Sequence, residues 1–329
     1  MDDQNVQQVV NQTLATCNNY LYTGRPNKAV KLLEVVKRID PDNSAMKKMF
    51  LYISSVVAEG PLPDMADVFG RNWNREDLDD KSIEVFCDQG MGDTINLLRY
   101  LYTMKSFWPR CRIVLNNYAF HHEFKGLLEQ VNVIDELTNS HVKCDYHTNI
   151  LCLPSLLNRL SVEGHYPTPW AAVLNTPIPQ QPLLSAKEVT KSPDRPCAGI
   201  SWRSNPNNVL SKYKSISDEE VEVLKESGVN MYSLMPLHNS VLAPIETLAD
   251  TAAVIKSMDV VVSVDTVVLH LAGAMGKATF GLLPKTADPR WADEETTVWY
   301  PSVRLIRQTI EGDWTEPLRQ VKDHLASLT

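Results

Sequence analysis

The sequence predicts an α/β chain of two Rossmann-like units facing a cleft, preceded by a short all-helical segment. Three observations predict it. From Lys81 onward, short apolar strand-like runs alternate with helical runs, the pattern of a parallel sheet with helices on its faces. The alternation is interrupted by Tyr166–Pro196, a stretch holding seven prolines, and then resumes. Residues 1–58 carry apolar residues at helical spacing and no strand pattern. The expected divisions are a helical segment at 1–60, a linker at 61–80, one α/β unit at 81–190 and a second at 191–329.

In the helical segment, Leu14, Leu21, Ala29, Leu32, Leu33 and Val36 share helical spacing, with a break at Gly24-Arg25-Pro26. The run YLYTGRPNKAVKLLEVVKRIDPDNSAMKKMF has a Gly between two helices, an Ala in the second and an Asp-Pro-Asp-Asn stop. In these features it resembles one tetratricopeptide repeat (TPR). One such unit cannot bury its own face. It either caps the next domain or belongs to an array that binds a protein partner. Residues 60–80, rich in Pro, Asp and Asn, read as linker or surface loop.

The first α/β unit is expected to run strand Ile83–Cys87, helix Thr94–Phe107, strand Arg112–Asn116 and helix His121–Gln130, with further strands at Val131–Leu137 and Asn149–Leu153. The second opens with strand Cys197–Trp202. Helix Ser217–Ser227 follows, with Ser217 as N-cap and Glu220 closing a capping box. Then come strand Asn230–Met235, helix Ile245–Met258, strand Val260–Val264, a helix after Thr266 stopped by Gly276, strands Ala278–Leu283 and Val303–Arg307, and helix Thr315–Leu328.

Composition narrows the function classes. The net charge of -8 predicts no broad basic surface, which counts against nucleic acid as the main partner. No apolar run approaches the roughly 18 residues a membrane helix needs. MDDQNVQQ lacks the basic and apolar regions of a secretory signal. The six cysteines are scattered without a C-x-x-C pair, which fits a cytoplasmic chain and argues against a zinc site.

Four constellations can carry chemistry. In VVVSVDTVVLHLAGAMGKATFGLLP (260–284), Ser263, Asp265 and Thr266 sit at the turn from a strand into a helix that carries His270. Open α/β sheets bind ligands at that end of a strand, and a helix N-terminus suits phosphate. Thr266 and His270 are four apart and share a helix face. The bland alternative is a local cap at Asp265 and a boundary histidine. In Cys87–Thr94, Gly90 and Gly92 permit close approach, and Asp93, just before Thr94, is expected to be the helix N-cap. Facing a cleft, it is also a candidate general base. In Ser201–Ile216, Arg203, Lys212 and Lys214 either neutralise a diphosphate or form a solvated basic loop. Asp288–Trp291 and Trp299–Ser302 are aromatic enough to be a core plug or a sugar or base platform, and both readings stay open.

Together these motifs resemble glycosyltransferase family 9, the heptosyltransferase relatives, in the form fused to tetratricopeptide repeats. The matching runs are CDQGMGDTINLLRYL (87–101), GISWRSNP (199–206), LADTAAVI (248–255), MDVVVSVDTVVLHLAGAMGK (258–277), WYPSVRLIRQ (299–308) and GDW (312–314). The resemblance implies the GT-B fold, with the nucleotide-sugar donor held mainly by the C-terminal domain and the acceptor by the N-terminal one. It implies an inverting transfer that needs no metal and no other cofactor. Asp93 matches the family's base, which takes the acceptor hydroxyl proton. Asp265, Thr266 and His270 match its donor loop near the diphosphate. Lys214-Ser215 stands where the family has Arg-Ser, and Asp288-Pro289-Arg290-Trp291 where it has D-W-R-W. Asp77-Leu78-Asp79 resembles the D-x-D metal motif of another glycosyltransferase class, but it precedes a strand in an acidic loop and reads as a solvated charge run.

The reading is therefore a transferase moving a sugar from a nucleotide-diphosphate donor to a hydroxyl, expected on a glycan. Asp93 is the catalytic residue; Arg203, Lys214, Ser263, Asp265, Thr266 and His270 bind donor; Gly90, Gly92 and Thr94 line the acceptor side. Three rivals stay open. The first is a DNA-modifying transferase acting on a hydroxymethylated base, with Lys105, Arg110, Arg112 and Lys125 as a basic rim. The second is a non-catalytic nucleotide-sugar scaffold that recruits proteins through its N-terminal helices. The third is a sugar-nucleotide epimerase.

Overall fold

Cys197–Ser201 and Val260–Val264 are buried at every position, and a run buried on both faces belongs inside a parallel sheet. The computed structural model places them there. It describes residues 6, 9–14, 16–17, 26–40, 43, 46, 49, 73–87, 90–117, 121–140, 142–154, 156–157, 195–205, 211–235, 245–291 and 294–329. The chain divides into two units: Met1–Asp88, Tyr100–Tyr118 and Thr138–Pro177 form one, and Gln89–Arg99, Ala119–Leu137 and Ile178–Thr329 the other.

In the first unit, α1 (Pro26–Ile39) starts on a proline, whose missing N–H costs nothing at that position, and ends before Asp40-Pro41. Its buried Ala29, Leu33 and Val36 pack with Val10, Leu14 and Cys17 from the preceding helical residues. Leu21, Gly24, Arg25 and Pro41 lie outside the described residues, as does the proline-rich stretch up to 194. Strands β1 (Ser82–Phe86), β2 (Arg112–Asn116), β3 (Glu136–Thr138) and β4 (Tyr146–Asn149) form a sheet of order β3-β2-β1-β4, with β1 parallel to β2 and β4. Glu84 is fully buried at its centre, but its carboxylate is satisfied by Asn116 Nδ2 at 2.7 Å, the Val142 amide at 3.2 Å and His147 Nδ1 at 3.0 Å. The Asp-rich turn before β1 is tied locally: Arg110 pairs with Asp79 at 3.2 Å and Asp80 at 2.8 Å.

Three elements expected between residues 94 and 153 come out differently. The helix expected over Thr94–Phe107 starts earlier and is two helices, α2 (Met91–Leu97) and α3 (Arg99–Phe107). Arg99 Nε donates to the Asn96 carbonyl at 2.7 Å, and a side chain inserted there breaks the backbone ladder. The strand expected at Val131–Leu137 is only Glu136–Thr138, because the amides of Val131 and Ile134 are spent on turn bonds to Leu128 and Val131. The strand expected from Asn149 ends there instead, since the Asn149 side chain accepts from the Leu151 amide and caps a 3-10 turn.

The second unit holds α2, α4 (His121–Leu128) and a sheet of five parallel strands: β5 (Cys197–Ser201), β6 (Asn230–Ser233), β7 (Val260–Val264), β8 (Thr279–Leu283) and β9 (Val303–Arg307). Its helices are α5 (Ser211–Lys214), α6 (Asp218–Val221), α7 (Leu248–Ser257), α8 (Val267–Ala274) and α9 (Thr315–Ala326). The order β6-β5-β7-β8-β9 reverses direction between β5 and β7. Helices α7 and α8 cover one face; α9 and the turn at 222–227 cover the face carrying Val260, Val262 and Val264. The Ser217–Glu220 capping box is present, but the α-helix runs only to Val221 and continues as a 3-10 turn. Gly276 takes φ 68, and the amides of Gly276 and Lys277 close on the carbonyls of Gly273 and Ala272, a Schellman stop for α8.

Candidate functional site

The strand order reverses between β5 and β7, and the carboxyl ends of such strands are where doubly wound sheets take ligands. The segments leaving β5 and β7 meet there. Lys214, at the end of α5, places Nζ 2.6 Å from Asp265 Oδ2. Both ends are mostly sheltered, with 15% of the Lys214 side chain and 6% of that of Asp265 exposed. Thr266 is the N-cap of α8 but makes no side-chain cap bond. Its hydroxyl lies 3.3 Å from that of Ser263, which is buried and donates to the Val264 carbonyl. The α8 N-terminus, with its positive dipole end, thus opens beside an ion pair.

Asp93 lies on α2, within the same unit. It is not the N-cap. Gly90 takes that place, and Asp93 stands in the first turn, because α2 begins at Met91. Its Oδ1 lies 2.7 Å from Arg290 Nη1. Arg290 belongs to the 3-10 turn Pro289–Trp291; its Nη2 donates to Asp288 Oδ2 at 3.3 Å, and its Nε lies 3.1 Å from Oδ1. Burial opposes its charge, but the carboxylates of Asp93, Asp288 and Asp265 hold its pKa above the usual guanidinium value.

Helices α2 and α8 touch through glycine. A Cβ on Gly92 would come 2.7 Å from His270 Cδ2, and a Cβ on Gly273 would collide with the Tyr300 ring. Only hydrogen fits at either place. Asn96 Nδ2 donates to the Tyr300 hydroxyl at 3.1 Å, and the same hydroxyl is hydrogen-bonded to His270 Nδ1 at 2.9 Å. The His270 pKa is pushed well below the usual value, first by burial and then by Arg290. The ring stacks on Trp291 at 5.1 Å, and Arg99 lies over both Trp299 and Tyr300.

These facts place the expected site residues. Lys214, Asp265, Thr266 and Ser263 come together. His270 is 4% exposed and sits in the aromatic interior, so it orients α2 against α8 rather than offering itself openly. Gly92 serves that helix contact, Gly90 caps α2, and Thr94 is buried with its hydroxyl 3.5 Å from the Gly90 carbonyl. Arg203 is half exposed and paired with Asp218, which also accepts from the Trp202 indole. Trp291, Trp299 and Tyr300 are buried at 0%, 2% and 1% exposure, which decides for the core plug over the platform. Arg290 and Asp288 were not among the expected site residues. The signal for them was present, a lone arginine beside an aspartate in an aromatic loop, but nothing local ties it to Asp93. Among the described residues no group of three or more His, Cys, Asp or Glu side chains is placed to hold a metal.

Comparison with known proteins adds a family and a fold. The model of glycosyltransferase family 9 (heptosyltransferase) matches residues 195–313. A family 9 glycosyl transferase from Veillonella parvula DSM 2008 is similar at TM-score 0.51 and 12% identity, over 78% of this chain and 100% of that one. The E. coli ADP-heptose lps heptosyltransferase II is similar at TM-score 0.51 and 16% identity, over 75% of this chain and 98% of that one. The iron-containing heptosyltransferase TibC, solved with ADP-D-beta-D-heptose, reaches 0.48 and 13% identity, over 73% of this chain and 66% of that one. No curated protein matches the sequence. The shared fold is GT-B, two α/β units with parallel sheets. Residues 195–313 thus form a glycosyltransferase family 9 (heptosyltransferase) domain, and the chain is a glycosyltransferase.

Proposed function

We propose that the chain is an inverting, metal-independent transferase that moves a sugar from a nucleotide-diphosphate donor to a hydroxyl, with a glycan as the acceptor class. The observation that carries the reading is the meeting of Lys214, Asp265 and the α8 N-terminus at the carboxyl ends of β5 and β7. A diphosphate there is met by one ammonium group and a helix end. Preorganised positive groups of that kind stabilise a leaving diphosphate without a metal ion. Asp93 takes the acceptor proton, and His270, Gly92 and Tyr300 hold the helix that carries it. Residues 191–329 bind the donor, 81–190 serve the acceptor, and the TPR-like segment at 1–60 offers a surface to a protein partner. The scattered cysteines suit a cytoplasmic setting, and no described helix is long and apolar enough to cross a membrane.

The solved relatives named above include an ADP-heptose enzyme, so ADP-heptose is the first donor to test. Transfer and donor hydrolysis are measured for wild type and Asp93→Ala. A general base contributes about 10²–10⁴-fold, and a loss in that range is expected. Unchanged turnover removes Asp93 from the mechanism. Nucleotide binding without turnover across a donor panel turns the reading to a scaffold. A DNA acceptor gains no support. Of the rim cations, Arg110 pairs with Asp79 and Asp80, Lys105 donates to the Cys111 carbonyl, and Lys125 lies beside Glu129.

A further inference from the structure

Two carboxylates share Arg290. Its Nη1 stands 2.7 Å from Asp93 Oδ1 and its Nε 3.1 Å from Asp288 Oδ1. The arginine is also held from behind. Its amide donates to Asp288 Oδ1 at 3.0 Å, and its carbonyl accepts from the Trp299 indole at 2.9 Å. The next residue, Trp291, is fully buried against His270. The Arg290 backbone is thus fixed, and its guanidinium is the group on which Asp93 rests.

Lys214 is committed to Asp265 in the same way. Trp291, the neighbour of Arg290, stacks on His270 of α8 at 5.1 Å, and the Lys214–Asp265 pair stands at the residue before the α8 N-cap, so both ion pairs flank one helix. Lys214 is held by Asp265, and Arg290 by Asp93 and Asp288. A diphosphate entering that site meets cations that carboxylates already hold, and it must take one of them. The two candidates differ in cost. The Asp265 side chain is 6% exposed, so removing its counter-ion strands a buried charge. The Asp93 side chain is 28% exposed, and water replaces the lost partner.

Resting on the donor reading above, we propose that Arg290 changes partner: it holds Asp93 while the donor is absent and turns to the diphosphate when the donor binds. The departure of Arg290 leaves Asp93 Oδ1 open to accept a hydrogen bond from the acceptor hydroxyl. The base is therefore armed by the donor, and the donor binds before the acceptor is activated. In the chemical step the acceptor hydroxyl gives its proton to Asp93, and its oxygen bonds to the sugar carbon. The bond from that carbon to the diphosphate oxygen breaks, and its electron pair leaves with the diphosphate, next to Arg290 and Lys214.

Calorimetric titration of the full chain with ADP, GDP and UDP tests this. The proteins are wild type, Asp93→Asn, Arg290→Gln and the double variant, each checked for folding by thermal unfolding. Asp93→Ser replaces Asp93→Asn if the latter is unfolded. Removing the competing carboxylate is expected to tighten nucleotide binding about tenfold, and removing Arg290 to weaken it by a similar factor, the change for about 1.4 kcal/mol. The gain from Asp93→Asn is expected to vanish in the Arg290→Gln background, a coupling that a merely structural arginine does not produce. If a nucleotide binds wild type but Asp93→Asn binds it no tighter, the exchange of partners is refuted while the donor reading stands. A gain that persists without Arg290 refutes the exchange equally. If none of the three nucleotides binds wild type, the donor reading fails and the exchange fails with it.

Discussion

Gly92→Ala puts the contact between α2 and α8 to a quantitative test. The added methyl would sit 2.7 Å from His270 Cδ2, 3.4 Å from Nε2 and 3.5 Å from Cγ. The imidazole has nowhere to go. Its Nδ1 is bonded to the Tyr300 hydroxyl at 2.9 Å, its face lies on Trp291, and α2 is tied to the same hydroxyl through Asn96. Alanine gains up to about 1 kcal/mol over glycine in a helix. Overpacking costs about 1–3 kcal/mol, and losing the His270–Tyr300 bond with its partners buried costs about 1–3 kcal/mol more. The midpoints of these terms give a net loss of about 3 kcal/mol. At about 2–4 °C per kcal/mol for a unit of this size, melting is expected to fall by about 6–12 °C. Urea unfolding of wild type, Gly92→Ala, His270→Ala and the double variant gives the energies. With the ring gone the methyl has room, so the double variant is expected to be less destabilised than the singles together. A Gly92→Ala protein within about 0.5 kcal/mol of wild type, or one that pays the same cost without His270, would refute the packing argument.

The same ring predicts a pH dependence. Burial and the neighbouring Arg290 hold the His270 pKa well below its ordinary value. The unfolded chain takes up the proton near pH ~6.5 and the folded chain does not, so this stability is present above that pH and is lost as pH falls below it, at up to about 1.4 kcal/mol per unit. His270→Gln is expected to flatten urea-unfolding stability between about pH 5 and 6.5 by that slope; identical slopes would remove His270 as the titrating group. Lys214→Met leaves the sheltered Asp265 carboxylate without its counter-ion. A stability loss of about 2–4 kcal/mol is expected, somewhat below the range for fully buried pairs because 15% of Lys214 is exposed. Adding Asp265→Asn is expected to restore most of it while nucleotide affinity stays low; no recovery in chemical denaturation argues against the pair as the cause.

The succession of strands along the second unit, the Ser217–Glu220 capping box, the Gly276 stop and the opening of a helix at Thr266 were all legible in the sequence. Each rests on a signal a few residues long: a buried apolar run, a side chain bonded three positions on, a glycine able to take positive φ. The Asp265 loop was legible for the same reason, since a strand running into a helix carries its own anion-facing end. Boundaries failed where a tertiary contact intervened, as when Arg99 turned back onto the Asn96 carbonyl and split one helix into two. Asp93 was misread as a cap because a Gly-x-Gly-Asp run offers several starting points for a helix. The seating of Gly92 against His270 accompanies a start at Met91.

What folding alone decided is which groups meet. Asn96 and Tyr300 bond across 204 positions of chain, and Arg290 reaches Asp93 from an aromatic loop whose composition reads equally well as a core plug or as a ligand platform. Periodicity and capping act within one or two turns of chain, so they name elements and their ends. The partner of a buried charge is chosen by how those elements pack, through desolvation and close contact that no local pattern encodes.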